Sequence, residues 1–342
     1  MINPNNVTKV AAIKNRYDFM LLVEAAMCNP NGDPDMDNNP RKLANSGLGM
    51  ITSVAIKSRI RKYVMDAFDD INNLIVPATN INRAIAESYV DVTGKQDLKG
   101  VGKGAFKQEV GALMCQKYWD VRTFGGVLSV GRNAGQIQGP VQIDMSTSVD
   151  PITIQDLTIT RTCYTADDFD TLLKYDEADA KKPDNEKRTM GDQKITPYGL
   201  YVVKGSISAS LAERTGFSED DLSKLWEALL QMYNHDISTS KKGMNVVSPL
   251  IIFKHVGTQN ADNESQNARE AKLGCAPAQM LYKLLSIEKK DGVDVPTKTD
   301  DYDITFNASG IPNGVEAGFK YLPFEAPEWN TDNLKKCGIT VM

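Results

Sequence analysis

Lys57 and Arg61 stand four residues apart, just after a Thr52-Ser53 pair, in a stretch that reads as a helix. An early turn of a helix offers N–H groups without acceptors and a favourable dipole. Thr52 and Ser53 therefore mark a place where a phosphate can sit. Lys57 and Arg61 would extend that contact along one ridge, as a strand of nucleic acid requires. Across residues 38–65 the chain carries Arg41, Lys42, Lys57, Arg59, Arg61 and Lys62 and no acid. Residues 167–179 reverse the balance, with Asp167, Asp168, Asp170, Asp176, Glu177 and Asp179 against Lys174. Such segregation points to one cationic surface on an acidic body, although a solvated face accounts for either run taken singly.

Residues 124–139 offer a second polar surface. Gly125, Gly126, Gly131, Gly135 and Gly139 are interleaved there with Arg132, Asn133, Gln136 and Gln138. Glycine allows close backbone approach, and these side chains can hydrogen-bond phosphate or ribose. A tight structural turn explains the same glycines equally well. The segment imitates a nucleotide-binding loop, but Arg132 and Asn133 stand where that loop needs Lys and Ser or Thr, which excludes nucleotide hydrolysis. Asp33, Asp35 and Asp37 open like a calcium loop, yet Asn38 and Ala44 replace the Gly and Glu it requires. Those acids suit either a hydrated magnesium ion in a nuclease or, more simply, a solvated loop. His235 and His255 are the only histidines and no G-x-S-x-G serine occurs, so a Ser/His/Asp hydrolase is not expected and both histidines read as structural.

The elements that must position these residues follow from periodicity. Residues 17–26 are almost wholly apolar and read as a buried strand. Residues 28–47, dense in Asn, Asp, Pro and Gly, read as a long functional loop. A helix is expected over 48–68, with Ile56, Ile60, Tyr63, Val64 and Ala67 on its apolar face. A second is expected over 103–119. A third starts at Ser218, where Glu219, Asp220 and Asp221 form a capping-box-like entry before Leu222, Leu225, Trp226, Leu229, Leu230 and Tyr233. Strands are expected at 139–148, 151–164, 198–210 and 249–256. The polar stretch 164–197 between two of them reads as a protruding hairpin or arm. This irregular alternation gives the α+β class with a mostly antiparallel sheet.

Composition narrows the reading further. The 342 residues include 39 Lys and Arg against 44 Asp and Glu, a net charge of −5. That length suits two domains, or one large domain with insertions. The acidic sum argues against a generic nucleic-acid glove, but a polyanion responds to the local field. Cys28, Cys115, Cys163, Cys275 and Cys337 lack C-x-x-C spacing, which excludes a disulfide framework or ordinary zinc site and favours a reducing cytoplasm. No apolar run nears the ~18 residues that span a bilayer, so a cytosolic chain without a membrane partner is expected.

Five stretches carry a family resemblance: RYDFMLLVEAAMCNPNGDPDMDNNPR (16–41), SVAIKSRIRKYV (53–64), DVRTFGGVLSVGRNAGQIQGPVQ (120–142), ITPYGLYVVKGSISASLAERTGFSEDDLSKLWEALLQM (195–232) and FKH (253–255). Together, and in this order, they resemble the guide-RNA-binding backbone subunit of type I-C CRISPR surveillance complexes (Cascade), in the RAMP superfamily. The resemblance implies a ferredoxin/RRM-like antiparallel-sheet palm over 1–163 and 197–308, with finger insertions at 28–47 and about 69–105. It further implies a protruding thumb at 164–196 and a C-terminal tail at 309–342. In that family, copies assemble head to tail along one crRNA in the prokaryotic cytoplasm, grip its backbone and expose its bases to a target DNA strand. The crRNA-processing, large and small subunits of Cascade are then partners, and no catalytic residue, metal or cofactor is expected.

Carried over by position, Lys57 and Arg61 are expected on guide phosphates, with Thr52 and Ser53 at the helix start and Arg41 reaching in from the loop. Arg122, Phe124, Gly125, Gly126, Arg132, Asn133 and Gln136 belong to a second guide-facing loop. Met190, beside Gly191, is expected as the thumb wedge that kinks the guide. Relatives often place a basic pair shortly after that Met-Gly, where this chain has Asp192-Gln193-Lys194. Phosphate contacts suit such a role, because base pairing supplies the specificity. The alternative is a metal-dependent RAMP-type RNase using Asp33 with Asp35 or Asp37, since type III relatives cut RNA with an aspartate in the loop after the first strand.

Overall fold

The computed structural model describes residues 11–68, 74–76, 80–165, 167–259 and 263–342. Strand β1 (Tyr17–Cys28) leads into a loop holding β2 (Gly32–Asp33) and β3 (Asn39–Pro40), followed by β4 (Leu48–Ile51) and helix α1 (Ser53–Ala67). Helices α2 (Ile81–Thr93), α3 (Lys107–Lys117) and α4 (Trp119–Phe124) precede a hairpin of β5 (Gly125–Leu128) and β6 (Gly135–Gln138). Next come β7 (Val141–Ile143), β8 (Ser146–Pro151), β9 (Gln155–Arg161), α5 (Leu172–Lys181) and the long β10 (Thr189–Ile207). The chain continues through α6 (Ala209–Thr215), α7 (Glu219–His235), β11 (Met244–Val246), β12 (Leu250–His255), α8 (Glu264–Leu273) and α9 (Ala278–Tyr282). Last are β13 (Leu285–Lys289), β14 (Tyr302–Phe306), β15 (Val315–Lys320) and β16 (Thr340–Val341).

The fold is mixed α and β around an antiparallel sheet of order β15-β12-β1-β10-β8-β4, with β11 also on β1 and with β7 and β9 also on β10. β1 lies inside it, Tyr17 opposite Ile207 and Cys28 opposite Thr196. Its odd positions, Phe19, Leu21, Val23 and Ala25, pack with Ile56, Ile60 and Val64 of α1 and Leu222, Trp226 and Leu229 of α7. Met20 and Leu22 face the other way, onto Leu281, Phe306, Phe319 and Leu334. Covering both faces is what makes β1 apolar at nearly every position rather than at alternate ones. The three fully buried aliphatic residues of α1 contribute about 2 kcal/mol each, so packing rather than intrinsic propensity holds that helix. A separate core joins α2, α3 and the β5–β6 hairpin through Ile85, Tyr89, Val110, Met114, Leu128 and Ala134.

Several element boundaries differ from expectation. Residues 48–51 are strand, not the first helical turn, because they pair with β8 before Thr52 caps α1. The expected helix over 103–119 is interrupted at Tyr118, which is extended, and restarts as α4. The strand expected over 139–148 is two, β7 and β8. β10 starts at Thr189, so it runs into the 164–197 stretch and pairs there with β9, while α5 occupies the middle of that stretch with no buried residue. Residues 309–342 supply β15 to the main sheet and β16 to a small sheet beside β14. The capping box at Ser218 and Asp221 forms as its sequence predicts. Part of the 69–105 insertion (69–73 and 77–79) lies outside the described residues. No helix among the described residues is long and apolar enough to cross a membrane.

Candidate nucleic-acid interface

The start of α1 is built by its own cap and by the preceding loop. Thr52 Oγ1 accepts the Ala55 N–H at 3.2 Å, and Asn31 Oδ1 accepts the Thr52 N–H at 2.9 Å. Among the described residues the Ser53 and Val54 N–H groups have no protein acceptor, which leaves two aligned donors at the positive helix end. Arg41 is nearby, its carbonyl accepting from Met50 N and its guanidinium paired with Asp33 at 3.0 Å.

One turn further on, Lys57 and Arg61 share the Phe124 ring, Lys57 Nζ at 5.3 Å and Arg61 Cζ at 5.0 Å from its centroid. Phe124 is buried and set edge-on to Trp119, so the ring is a fixed platform. Arg61 Nε donates to Asp120 at 2.9 Å. Lys57 has no carboxylate within ion-pair reach among the described residues. Burial, and then the neighbouring Arg61 charge, holds its ammonium below the usual lysine range. The other cations of the run are differently placed. Arg59 and Lys62 converge on Asp236, and Lys42 is exposed. Among the described residues of this run, Lys57 alone is a half-buried cation lacking an acid.

The glycine-rich hairpin adjoins that platform. Gly125 has a φ of +76°, and a Cβ there would stand 2.5 Å from the Gly139 nitrogen, so two chain segments touch backbone to backbone. Those two glycines serve the turn, while Gly126 is partly open. Arg132 donates to the carbonyls of Leu98 and Val101 at 2.9 and 3.1 Å, and Asn133 Oδ1 accepts the Gly135 N–H. Gln136 is exposed. Arg122 grips Asp221 of the α7 capping box with Nε at 3.0 Å and Nη2 at 2.8 Å. The structure thus gathers Lys57, Arg61, Phe124, Gly125 and Gly126 in one place, while Arg122 and Arg132 are engaged with the protein itself.

Met190 lies opposite Thr160 on the β9–β10 hairpin and is 74% exposed. Lys194 pairs with Asp156 at 2.9 Å and Asp37 at 3.5 Å. Asp33, besides its pairing with Arg41, caps the Asp35 N–H. Among the described residues no three His, Cys, Asp or Glu side chains gather as metal ligands. His255 is buried between Asp18 and the Cys275 N–H, at 2.8 Å from each, and the exposed His235 bonds Asp66. Burial raises the Asp18 pKa, but hydrogen bonds from His255, Arg16 and Ser206 outweigh it and hold the carboxyl below its usual range.

Sequence reasoning missed three residues that shape this surface. Asp120 carried no spacing signal, because its partners come from 59 and about 45 residues upstream. Asn31 was hidden in a loop whose composition denied it structure. Lys241 Nζ donates to the Asn29 and Pro30 carbonyls and clamps the base of that loop. Burial, with the Arg59 charge adding, pushes its pKa down to about 8.

The chain matches the protein family described as "CRISPR-associated protein Cas7" over residues 15–307. A Haloferax volcanii protein described as "CRISPR-associated protein Cas7" is 27% identical over an alignment of 255 residues, with 67% of each chain covered. A chain of a solved "CRISPR RNA-guided surveillance complex, pre-nicking" superposes with a TM-score of 0.44 at 12% identity, covering 70% of this chain and 78% of that one. A chain of a "CRISPR RNA-guided surveillance complex" gives 0.36 at 14% identity, covering 73% and 75%.

Proposed function

The chain belongs to the CRISPR-associated protein Cas7 family, and from that premise we propose that it is a non-catalytic backbone subunit of a type I-C surveillance complex. Copies line a crRNA head to tail, hold its phosphates and leave its bases free to pair with target DNA. The sheet with α1 and α7 is the palm, α2 and α3 belong to the fingers, and β9, α5 and the start of β10 form the thumb carrying Met190. The observation that carries this reading is Lys57, a half-buried cation that has no acid partner among the described residues, set beside Arg61 and one turn beyond two helix N–H groups that have no acceptor among those residues. A phosphate there supplies the missing counter-charge without reading a base. Arg122 and Arg132 reach RNA only by exchanging their present partners, and Arg41 by leaving Asp33.

Repetition along the strand makes one such grip per subunit sufficient, since each added contact is effectively intramolecular. Purification together with the neighbouring genes of its operon tests the reading: short CRISPR transcripts are expected in the isolated complex. Complementary RNA incubated with that complex and magnesium is expected to stay intact. Cleavage that disappears on Asp33→Ala would instead establish the RNase.

A further inference from the structure

Asp120 is buried, and its carboxylate accepts from Arg61 Nε at 2.9 Å, Ile75 N–H at 2.9 Å and Val76 N–H at 3.2 Å. It therefore engages only the Nε corner of the Arg61 guanidinium. Among the described residues neither terminal amino group of Arg61 has a protein acceptor, and neither is sealed from solvent. Arg61 Cζ stands over the Phe124 ring, 5.0 Å from its centroid. A guanidinium held by a carboxylate at Nε alone keeps one pair of parallel donors, the Nη1–Nη2 edge, whose spacing matches two oxygens of a phosphodiester.

We propose that Asp120 is a positioning residue for phosphodiester binding, anchoring Arg61 by Nε so that its Nη1–Nη2 edge faces outward beside Lys57. This inference rests on the guide-RNA reading above and names the residue that sets its geometry. Because Asp120 also holds Ile75 and Val76, and Ile75 belongs to the α2–α3 core, one carboxylate fixes the arginine relative to the finger helices. Simple electrostatics predicts the opposite role, since a buried negative charge next to the site repels phosphate.

The two accounts separate in a binding cycle on the full-length protein with a labelled single-stranded RNA of mixed sequence. Asp120→Asn removes one negative charge from beside the site, yet affinity is expected to fall about tenfold, the worth of one charge-assisted hydrogen bond. In an Arg61→Gln background the same change is expected to cost nothing further. Tighter binding by Asp120→Asn, or an equal loss in both backgrounds, overturns the proposal. Should Asp120→Asn fail to fold, Arg61→Lys decides: it keeps the charge but lacks the outer edge, and binding like the unmodified protein overturns the proposal equally. Lys57→Ala distinguishes the levels. If it too leaves RNA binding unchanged, the guide-RNA reading itself fails; if it weakens binding while the Asp120 cycle shows no coupling, only the positioning role fails.

Discussion

Lys57 and Arg61 stand one helical turn apart over the same Phe124 ring, and only Arg61 has a carboxylate partner among the described residues. The two cations are therefore unequal. Arg61 is tied into the protein by Asp120, whereas Lys57 bears both a desolvation cost and repulsion from its neighbour until an anion arrives. An arrangement that is costly in the free protein and satisfied in a complex is what a binding surface requires.

That inequality predicts opposite stability effects. Lys57→Met keeps the packing of the side-chain stem, removes a desolvated charge beside Arg61 and is expected to leave stability unchanged or raise it by about 0.5 kcal/mol. Arg61→Met leaves the buried Asp120 carboxylate to the Ile75 and Val76 N–H groups without its cation and is expected to cost about 3 kcal/mol. Chemical denaturation of the two variants checks the pair; equal effects would mean the two side chains share one environment.

Alkaline titration probes the clamp on the loop base. Lys241 has a folded pKa of about 8 against an ordinary 10.5, so the unfolded chain binds more protons between those values. Its contribution to stability must then rise with pH from about 8 to 10.5 and be flat below. The unfolding free energy of the protein minus that of Lys241→Met isolates this group. A difference that falls across that window would show the ammonium to be stabilised rather than penalised in the fold.

Met190 is 74% exposed on the arm, so Met190→Ala is expected to shift stability by less than about 0.5 kcal/mol. Guide affinity should change little, while the spacing of kinks along the bound guide is disturbed. Cryo-EM of the assembled variant reads this directly. Another side chain found between the guide bases of the unmodified assembly would remove Met190 from the wedge role.

The parts of this molecule that were legible in its sequence are those set by local pattern. β1 and β12, the apolar face of α1 and the Ser218 capping box each carry their signal within a dozen residues. What was not legible depends on partners distant along the chain. Residues 48–51 have helix-compatible composition, and only pairing with β8 makes them a strand. The 28–47 loop looked irregular because its order comes from Asn31 reaching the Thr52 N–H and from Lys241, some 211 residues away, gripping Pro30. Lys57 and Arg61 were visible as a ridge, but their inequality was not, since Asp120 and Phe124 arrive from α4, 59 and more residues beyond Arg61.

Salt dependence of guide binding tests the central claim most directly. Two single-stranded guides of unrelated sequence should give the same slope of log affinity against log salt. Lys57→Ala should flatten both slopes by about 0.7, the increment that a single neutralised phosphate adds on a single strand. An unchanged slope in that variant, or slopes that differ between the two guides, would contradict a letter-indifferent phosphate grip at Lys57.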